Sequence, residues 1–275
     1  MTNSDSDLLR TLLAHAAVNL AHEAPAEVAE HLPEANSLVA KVAEVFGDAA
    51  GGDYFSSSRL RYEQYFAAAM TLRPKARVLE VGSAPGHVSV GLHMLGLELT
   101  CINLNAEYRK FYPSKEWLGK LNVCEHDFEK APLPFAEGSF DAIFFTEVLE
   151  HVAIKHPREV LADFRRMLRP GGRLILSTPN VCNVSNIVAL LNGHNIFWPP
   201  DIFYGSLDRH NREFTPDEVR AALSAAGFAR QQVYGINCWS NWRLGGAEFA
   251  SDAIMQHGDA HPLLRNTIMA IAHCD

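Results

Sequence analysis

The sequence predicts an α/β protein with a parallel sheet, helices on both faces and a helical extension ahead of the sheet. Apolar strand-like segments alternate with helical stretches along the middle of the chain, at residues 78–81, 99–103, 142–146 and 173–177. That alternation is typical of strands joined by crossover helices. Ligands bind beyond the carboxyl ends of such strands, so we expect the functional site at that edge of the sheet.

Residues 1–71 are expected to form the helical extension. Apolar stripes at helical spacing run through residues 8–20 and 38–46, and a third helix is predicted near residues 58–70. Two roles fit the extension equally well. It packs against the rest of the chain or forms the surface of a homodimer, or it covers the substrate side of the site. Residues 72–275 are expected to form the ligand-binding domain.

The first strand of the sheet runs into a turn bracketed by Gly82 and Gly86, which opens a helix. Glycines permit a tight turn and let a ligand approach the backbone amides, while Glu80 in the strand can accept hydrogen bonds from ligand donors. The spacing Gly-x-x-x-Gly lacks the middle glycine that brings a dinucleotide pyrophosphate against the backbone. The turn therefore favours a nucleotide-like cofactor without a pyrophosphate.

Composition excludes several classes of protein. The chain of 275 residues is 48% hydrophobic, enough for one large α/β domain with residues left for a cap. Its net charge is 24 minus 32, or −8, without a lysine- or arginine-rich run, so no nucleic-acid partner is expected. The five cysteines are odd in number and far apart, as in reduced cytosolic proteins. No apolar run reaches the ~18 residues of a membrane span, and the amino terminus is acidic, so a cytoplasmic protein without a membrane partner is expected.

Further motifs follow the glycine turn in a fixed order, and as a set they resemble the class I S-adenosylmethionine-dependent methyltransferases. The resemblance covers residues 72–228 and is carried by the segments 80–86, 99–103, 127–135, 139–145, 146–152 and 168–176. It implies the Rossmann-like sheet of that family, which is mostly parallel and has seven strands with an antiparallel last strand. It also implies S-adenosylmethionine as the cofactor.

The resemblance assigns a cofactor role to residues at the ends of these strands. Glu80 is expected to contact the methionine end of the cofactor, and the backbone of Gly82, Ser83 and Gly86 to pass beside it. Asp127 and Phe128 are expected to contact the adenine. Thr146 and Glu147 are expected to belong to the loop that closes over the methionine half. Asn103 stands where the family normally has a ribose-binding acid. Because an amide accepts a hydroxyl proton without the strengthening effect of charge, we expect weaker cofactor binding than an aspartate would give.

Two histidines are the candidate general bases. By resemblance His151 lies near the transferred methyl group, whereas His210 belongs to residues 181–213, which look like a substrate-side insertion. That insertion supplies the candidate substrate contacts Trp198, Tyr204 and Arg212. It also contains Asp201, Asp208 and His194, which with His210 match no known metal spacing. We therefore expect no metal site there.

The predicted reaction is methyl transfer to a hydroxyl of a small molecule, such as a sugar, a polyol or a secondary metabolite. The loop after the fourth strand begins Thr146-Glu147-Val148, which lacks the Asn/Asp-Pro-Pro-Tyr of enzymes that methylate nucleobase amino groups and the cysteine of cytosine carbon-5 methyltransferases. An N-methyltransferase acting on a small amine is the nearest alternative. A nicotinamide-dependent oxidoreductase and a non-catalytic regulator with the same fold are alternatives from other classes.

Overall fold

Seven strands form a single sheet in the computed structural model, which describes residues 23–47, 53–204, 206, 209–237 and 261–275. In chain order they are β1 (Arg77–Val81), β2 (Glu98–Asn103), β3 (Asn122–Glu125), β4 (Phe140–Thr146), β5 (Leu168–Pro179), β6 (Arg230–Ile236) and β7 (Thr267–His273). Their order across the sheet is β3-β2-β1-β4-β5-β7-β6. The first five strands are parallel, and β7 lies antiparallel between β5 and β6. The predicted Rossmann-like sheet with its antiparallel last strand is confirmed.

Strand β3 was not located by the apolar pattern of the sequence. It lies at the edge of the sheet, is four residues long, and leaves three of them exposed. A strand with so little buried surface carries no run of apolar residues, since only burial on a face selects for one.

Helices cover both faces of the sheet. In chain order they are α1 (Ala26–Ala29), α2 (Leu32–Phe46), α3 (Asp53–Ser57), α4 (Arg59–Met70), α5 (His87–Met94), α6 (Lys115–Lys120), α7 (Pro157–Met167), α8 (Val184–Leu191), α9 (Pro200–Phe203) and α10 (Pro216–Ala225). Short 3₁₀ turns follow β2, β4 and residue 261. No helix in these described segments is long and apolar enough to span a bilayer.

The two faces have separate hydrophobic cores. On one face α2, α4 and α5 pack against the sheet through residues such as Phe66, next to Phe144 of β4. On the other face α7 and α10 pack against residues such as Phe145, the next residue along the same strand. Phe144 and Phe145 belong to different cores because neighbouring residues of a strand point to opposite faces of the sheet.

The helical extension contributes directly to the first of these cores. The predicted helix near residues 58–70 is α4, and the apolar stripe through residues 38–46 is buried on α2. The stripe through residues 8–20 lies outside the described residues. The first half of α4 lies at the carboxyl end of β1, where Arg61, Tyr62 and Tyr65 reach the edge at which the glycine turn stands.

The predicted insertion, residues 181–213, lies between β5 and α10 and contains α8 and α9. Its two ends meet where Asn180 pairs with Phe214 as an isolated parallel bridge. Helix α10 then begins with the predicted capping box, in which Thr215 and Glu218 each bond the other's backbone amide. The bridge between Asn180 and Phe214 keeps both ends of the insertion beside the carboxyl end of β5.

Candidate active site

The glycine turn has the backbone that its sequence predicts. Gly82 and Gly86 have φ values of +78° and +96°, in the left-handed region that favours glycine. A Cβ on Gly82 would collide with Val148, and one on Gly86 would lie 2.6 Å from Cδ1 of Tyr112. Both positions therefore require glycine for its conformation and for the space around it.

A cavity of about 60 Å³ opens beside this turn, at the carboxyl ends of β1 and β4. The turn, Glu80, Thr146 and Glu147 line it from the sheet, and Tyr54, Arg61, Tyr62, Tyr65 and His87 line it from the helices. Strands β1 and β4 lie at the switch in strand order, where open α/β sheets bind ligands. The structure thus brings together most of the predicted cofactor residues and adds side chains from the helical extension.

Glu80 is buried in the sheet beneath the cavity. Its Oε2 accepts a hydrogen bond of 2.6 Å from the Ser89 hydroxyl. Burial raises the pKa of Glu80 to about 8, against the smaller lowering effect of the hydrogen bonds from Ser89 and Cys101. A cationic group placed at this carboxyl would favour its ionised form.

Asn103 sits at the end of β2 with its side chain turned toward the glycine turn. Its Oδ1 accepts from the backbone amide of Ala84 at 2.9 Å and from the Ser83 hydroxyl at 3.2 Å. Its Nδ2 donates to the Tyr112 hydroxyl at 2.9 Å. The amide therefore bonds to the turn itself, and Tyr112, which the sequence did not single out, completes the arrangement.

Asp127 and Phe128 follow β3, next to the end of β2, where the backbone amide of His126 donates to the Asn103 carbonyl at 2.9 Å. Asp127 pairs with Lys130 at 2.8 Å, and the hydrogen bond from Lys130 is the main cause that lowers the Asp127 pKa. Phe128 packs edge-on against Phe145 with centroids 6.0 Å apart. These two residues lie on the β2–β3 side of the sheet edge, apart from the lining of the cavity.

Glu147 is the centre of a network that joins the sheet to α4. Its Oε1 accepts from the Ser177 hydroxyl at 2.6 Å, and that hydroxyl in turn accepts from Tyr65 at 2.5 Å. Its Oε2 accepts from Arg61, whose side chain is almost fully buried. The sequence analysis missed Arg61. The available signal was a cation inside a helix that otherwise buries tyrosine, phenylalanine and alanine.

His151 and His210, the two candidate bases, lie together with Glu150. The two imidazole rings are 5.1 Å apart, and Nε2 of His151 lies 3.7 Å from Oε1 of Glu150. Glu150 is 1% exposed and accepts from the Thr178 hydroxyl at 2.9 Å. Burial, and next the charge of Glu147, raise the pKa of Glu150. We refer to Glu150, His151 and His210 as the histidine cluster.

Both imidazole rings are oriented by a hydrogen bond that they donate from Nδ1. Nδ1 of His151 donates to the Arg209 carbonyl at 2.9 Å, and Nδ1 of His210 donates to Oε1 of Glu213 at 2.9 Å. In the neutral ring each then carries its lone pair on Nε2. Burial lowers the His210 pKa, but the Glu213 hydrogen bond and the charges of Glu150, Glu213 and Glu147 outweigh it and leave that pKa raised. Glu213 was not predicted, although it lies three residues after His210.

The three predicted substrate contacts are placed differently from one another. Trp198 lies against His210, with ring centroids 5.5 Å apart. Tyr204 is 80% exposed and packs against Phe203. The Arg212 side chain pairs with Glu218 on the surface, although its backbone amide donates to the Glu150 carbonyl at 3.2 Å. The structure thus brings Trp198 to the candidate base but brings neither the Tyr204 nor the Arg212 side chain there.

Among the described residues, the group spaced to hold a metal ion is the histidine cluster, whose ligand atoms lie within 4.8 Å of one another. Of the four residues weighed as ligands in the sequence, this group contains His210 alone, and Asp208 lies outside the described residues. Glu150 and His151 were not considered, because their proximity to His210 comes from the folding of the insertion onto the end of β4.

Comparison with known proteins gives the family. A model of the methyltransferase domain matches residues 79–176. The ubiquinone biosynthesis O-methyltransferase of Xanthomonas campestris is 31% identical over 183 residues, which are 65% of this chain and 72% of that protein. The chain belongs to the class I S-adenosylmethionine-dependent methyltransferases. Its cofactor is S-adenosylmethionine, and it transfers a methyl group to a small molecule.

Two other similarities are more distant. The sterol 24-C-methyltransferase ERG6B of Gibberella zeae is 33% identical over 129 residues, 45% of this chain and 33% of that one. In structure, the phosphoethanolamine N-methyltransferase 2 of Haemonchus contortus is similar with a TM-score of 0.55 at 15% identity, covering 86% of this methyltransferase and 57% of that chain. The structural likeness concerns the fold alone. The oxidoreductase and regulator hypotheses are set aside by the family membership.

Proposed function

We propose that this methyltransferase acts on a hydroxyl group, in a sugar, a polyol or a secondary metabolite. The observation that carries the proposal is the His210–Glu213 hydrogen bond, which orients an imidazole with its basic nitrogen on Nε2 beside Trp198. A neutral hydroxyl is a weak nucleophile that must give up its proton as the new bond forms, whereas a neutral amine is nucleophilic enough to attack before it loses a proton. The name of the Xanthomonas relative, an O-methyltransferase, supports the same choice.

When bound, S-adenosylmethionine would supply the methyl group to the hydroxyl oxygen, and the electron pair of the broken carbon–sulfur bond would leave with S-adenosylhomocysteine. Nε2 of His210 takes the hydroxyl proton as the new bond forms. The Glu213 carboxylate keeps Nδ1 protonated and stabilises the imidazolium that results. Trp198 would provide an apolar wall for the acceptor.

The proposal is tested by turnover with matched alcohol and amine acceptors. Each pair differs only in the hydroxyl or amino group, and the ¹³C-methyl label of the cofactor is followed into the methylated product. We expect turnover with the hydroxylated members and a methoxy carbon signal in the product. Turnover confined to the amines, with an N-methyl signal, would instead establish the N-methyltransferase alternative.

For the cofactor we propose contacts with Glu80, Gly82, Ser83, Gly86, Asp127, Phe128, Thr146 and Glu147, and we add Arg61. Arg61 is a buried guanidinium beside Glu80 and the glycine turn, so it is suited to the carboxylate at the methionine end of the cofactor. Glu147, its present partner, would then be available to the cofactor's ammonium group. Arg61→Met should weaken the binding of S-adenosylmethionine and of S-adenosylhomocysteine by the same factor, because both molecules carry that carboxylate. Unequal losses in calorimetry would count against the assignment.

Cofactor affinity should depend on pH through Glu80. Burial raises the pKa of Glu80 to about 8, so the free enzyme holds this carboxyl largely protonated at neutral pH. A cofactor ammonium beside it lowers that pKa, so binding releases a proton and affinity rises with pH. The rise should be visible between about pH 6 and 7.5, below the range in which an α-ammonium itself deprotonates.

The measurement is calorimetric titration in buffers of different ionisation enthalpy, which counts the protons released. Glu80→Gln is the matched comparison, since it keeps the shape of the side chain and cannot titrate. The variant should bind with affinity that no longer rises over this pH interval. An identical pH dependence in both proteins would show that Glu80 is not the source.

A second way to activate the hydroxyl is favoured by the spacing of the histidine cluster. One buried carboxylate and two imidazoles with ligand atoms within 4.8 Å suit a borderline divalent cation such as Mn²⁺ or Zn²⁺. Chelator treatment should then abolish turnover and added Mn²⁺ restore it, with one Mn²⁺ bound per chain in equilibrium dialysis. Full turnover after chelation would leave the His210 base as the mechanism.

A further inference from the structure

Three polar side chains beneath the glycine turn form a closed ring of hydrogen bonds. Nδ2 of Asn103 lies 2.9 Å from Oη of Tyr112, Oη of Tyr112 lies 2.6 Å from Oγ of Ser83, and Oγ of Ser83 lies 3.2 Å from Oδ1 of Asn103. The three residues are 3%, 6% and 2% exposed. The ring joins the end of β2, the segment after the following 3₁₀ turn and the cofactor turn itself.

The chemistry of the amide fixes the direction of every bond in this ring. Nδ2 can only donate, so Oη of Tyr112 accepts there and directs its own proton to Ser83. The Ser83 hydroxyl then donates to Oδ1 of Asn103 at 3.2 Å, with the Ile102 carbonyl as a longer second acceptor at 3.4 Å, and Oδ1 also accepts from the Ala84 amide at 2.9 Å. Each hydroxyl donates once, and both lone pairs of Oδ1 are engaged inside the turn. The Asn103 carbonyl oxygen thus has no lone pair left for a ribose hydroxyl.

An aspartate at residue 103 would break the ring. Its carboxylate cannot donate, so Tyr112 would direct its proton to residue 103, Ser83 would donate to Tyr112 instead, and the ring would open between Ser83 and residue 103. The carboxylate would also be buried close to Glu80. The influence of Glu80 is already felt there, since burial first and the Glu80 charge next raise the pKa of Tyr112.

Tyr112 also packs against the turn. A Cβ on Gly86 would lie 2.6 Å from its ring, so the ring occupies the space that glycine leaves. The hydroxyl and the ring face of one tyrosine therefore hold both ends of the turn, Ser83 and Gly86. The backbone amides of the turn are held in one arrangement before the cofactor arrives.

We propose that Asn103 is a positioning residue, which with Ser83 and Tyr112 fixes the glycine turn for the cofactor, and that it is not a ribose ligand. The proposal deepens the cofactor site proposed above and rests on it. In this enzyme the amide at the end of β2 is required, whereas an acid there would impair binding. This is the opposite of the effect expected if Asn103 substituted weakly for a ribose-binding acid.

The test compares calorimetric dissociation constants for S-adenosylhomocysteine in wild type, Asn103→Asp and Asn105→Asp. Asn105 caps the next turn by accepting from the Glu107 amide at 2.9 Å, a role that aspartate performs equally well. We expect Asn103→Asp to weaken binding by about tenfold or more, because it opens the ring and buries a second carboxyl close to Glu80, and Asn105→Asp to leave it unchanged. Tighter or unchanged binding by Asn103→Asp would overturn the proposal.

A double-mutant cycle with Tyr112→Phe separates the ring from a general loss of folding. Tyr112→Phe keeps the ring face and removes the hydroxyl, so it should weaken binding severalfold with kcat at saturating cofactor retained. Asn103→Asp combined with Tyr112→Phe should weaken binding less than the product of the two single effects, because either change alone already opens the ring. Multiplicative effects would show that no ring couples the two residues. If the Arg61→Met and Glu80→Gln variants bound S-adenosylhomocysteine as wild type does over the whole pH range, the cofactor contacts proposed above would be refuted instead.

Discussion

Replacing His210 with alanine is expected to lower turnover by about 10²- to 10⁴-fold, the range of general base catalysis, while cofactor affinity stays within about twofold. The reason is that Nε2 of His210 is the proton acceptor, and the residue lies outside the cofactor cavity. Steady-state measurement of kcat, together with calorimetry of S-adenosylhomocysteine binding, checks both parts. The loss should appear in kcat, because proton removal belongs to the chemical step.

Glu213→Gln should give a smaller loss of turnover, since a side-chain amide can still accept from Nδ1 but does not stabilise the imidazolium by charge. The matched control is His93→Ala, which removes another partly exposed histidine at the far end of α5, where it packs against Trp117. His93→Ala should have wild-type turnover. If His210→Ala retained wild-type turnover, the base would have to be His151 or another group.

Gly82→Ala is expected to abolish cofactor binding at the concentrations used for wild type. The new methyl group would collide with Val148, and the φ of +78° is unfavourable for any residue with a Cβ. The left-handed conformation costs about 1–2 kcal/mol and overpacking about 1–3 kcal/mol more, so the turn must move. Because the turn lines the cavity beside Glu80, its displacement removes the binding surface itself.

Gly96→Ala is the control for this prediction. Gly96 has a similar φ of +73°, but a Cβ there would meet nothing within 4 Å. It should therefore lose thermal stability from the conformational cost while binding the cofactor as wild type does. Val148→Ala should partly restore binding to Gly82→Ala by removing the colliding methyl group. Equal cofactor affinity in the two alanine variants would show that the turn does not need to stay where it is.

Patterns along the chain were sufficient to predict the sheet and the position of the glycine turn. Strands β1 and β4 are largely buried, and β2 and β5 are buried toward their carboxyl ends, so each contributes a stretch of apolar residues that the sequence pattern reveals. Gly82 and Gly86 are required because their φ values are positive and because Val148 and Tyr112 leave no space for a Cβ. Only glycine meets both requirements, so they are visible in the sequence. Strand β3 was not detected because an exposed edge strand does not need a run of apolar residues.

The helical extension illustrates the limit of such patterns. Periodicity predicted α4, because its buried face repeats at helical spacing, but the same pattern fits packing, dimerisation or a cover over the site. The structure places Arg61, Tyr62 and Tyr65 of this helix in the cofactor cavity. That placement depends on how α4 crosses the sheet, which spacing along one helix does not encode.

The sequence by itself determined the α/β class, the family resemblance and the glycine turn, because each depends on residues close together in the chain. Only the tertiary structure decided which polar groups meet. His151 and His210 are 59 residues apart in sequence, yet their rings are 5.1 Å apart, and Arg61 reaches Glu147 across 86 residues. Likewise Asn103 occupies the place of a ribose-binding acid in the chain, but in the fold its side chain bonds to Ala84, Ser83 and Tyr112. Contacts of this kind are set by helix crossings and loop paths, since hydrogen bonds and ion pairs act over a few ångströms whatever the separation along the chain.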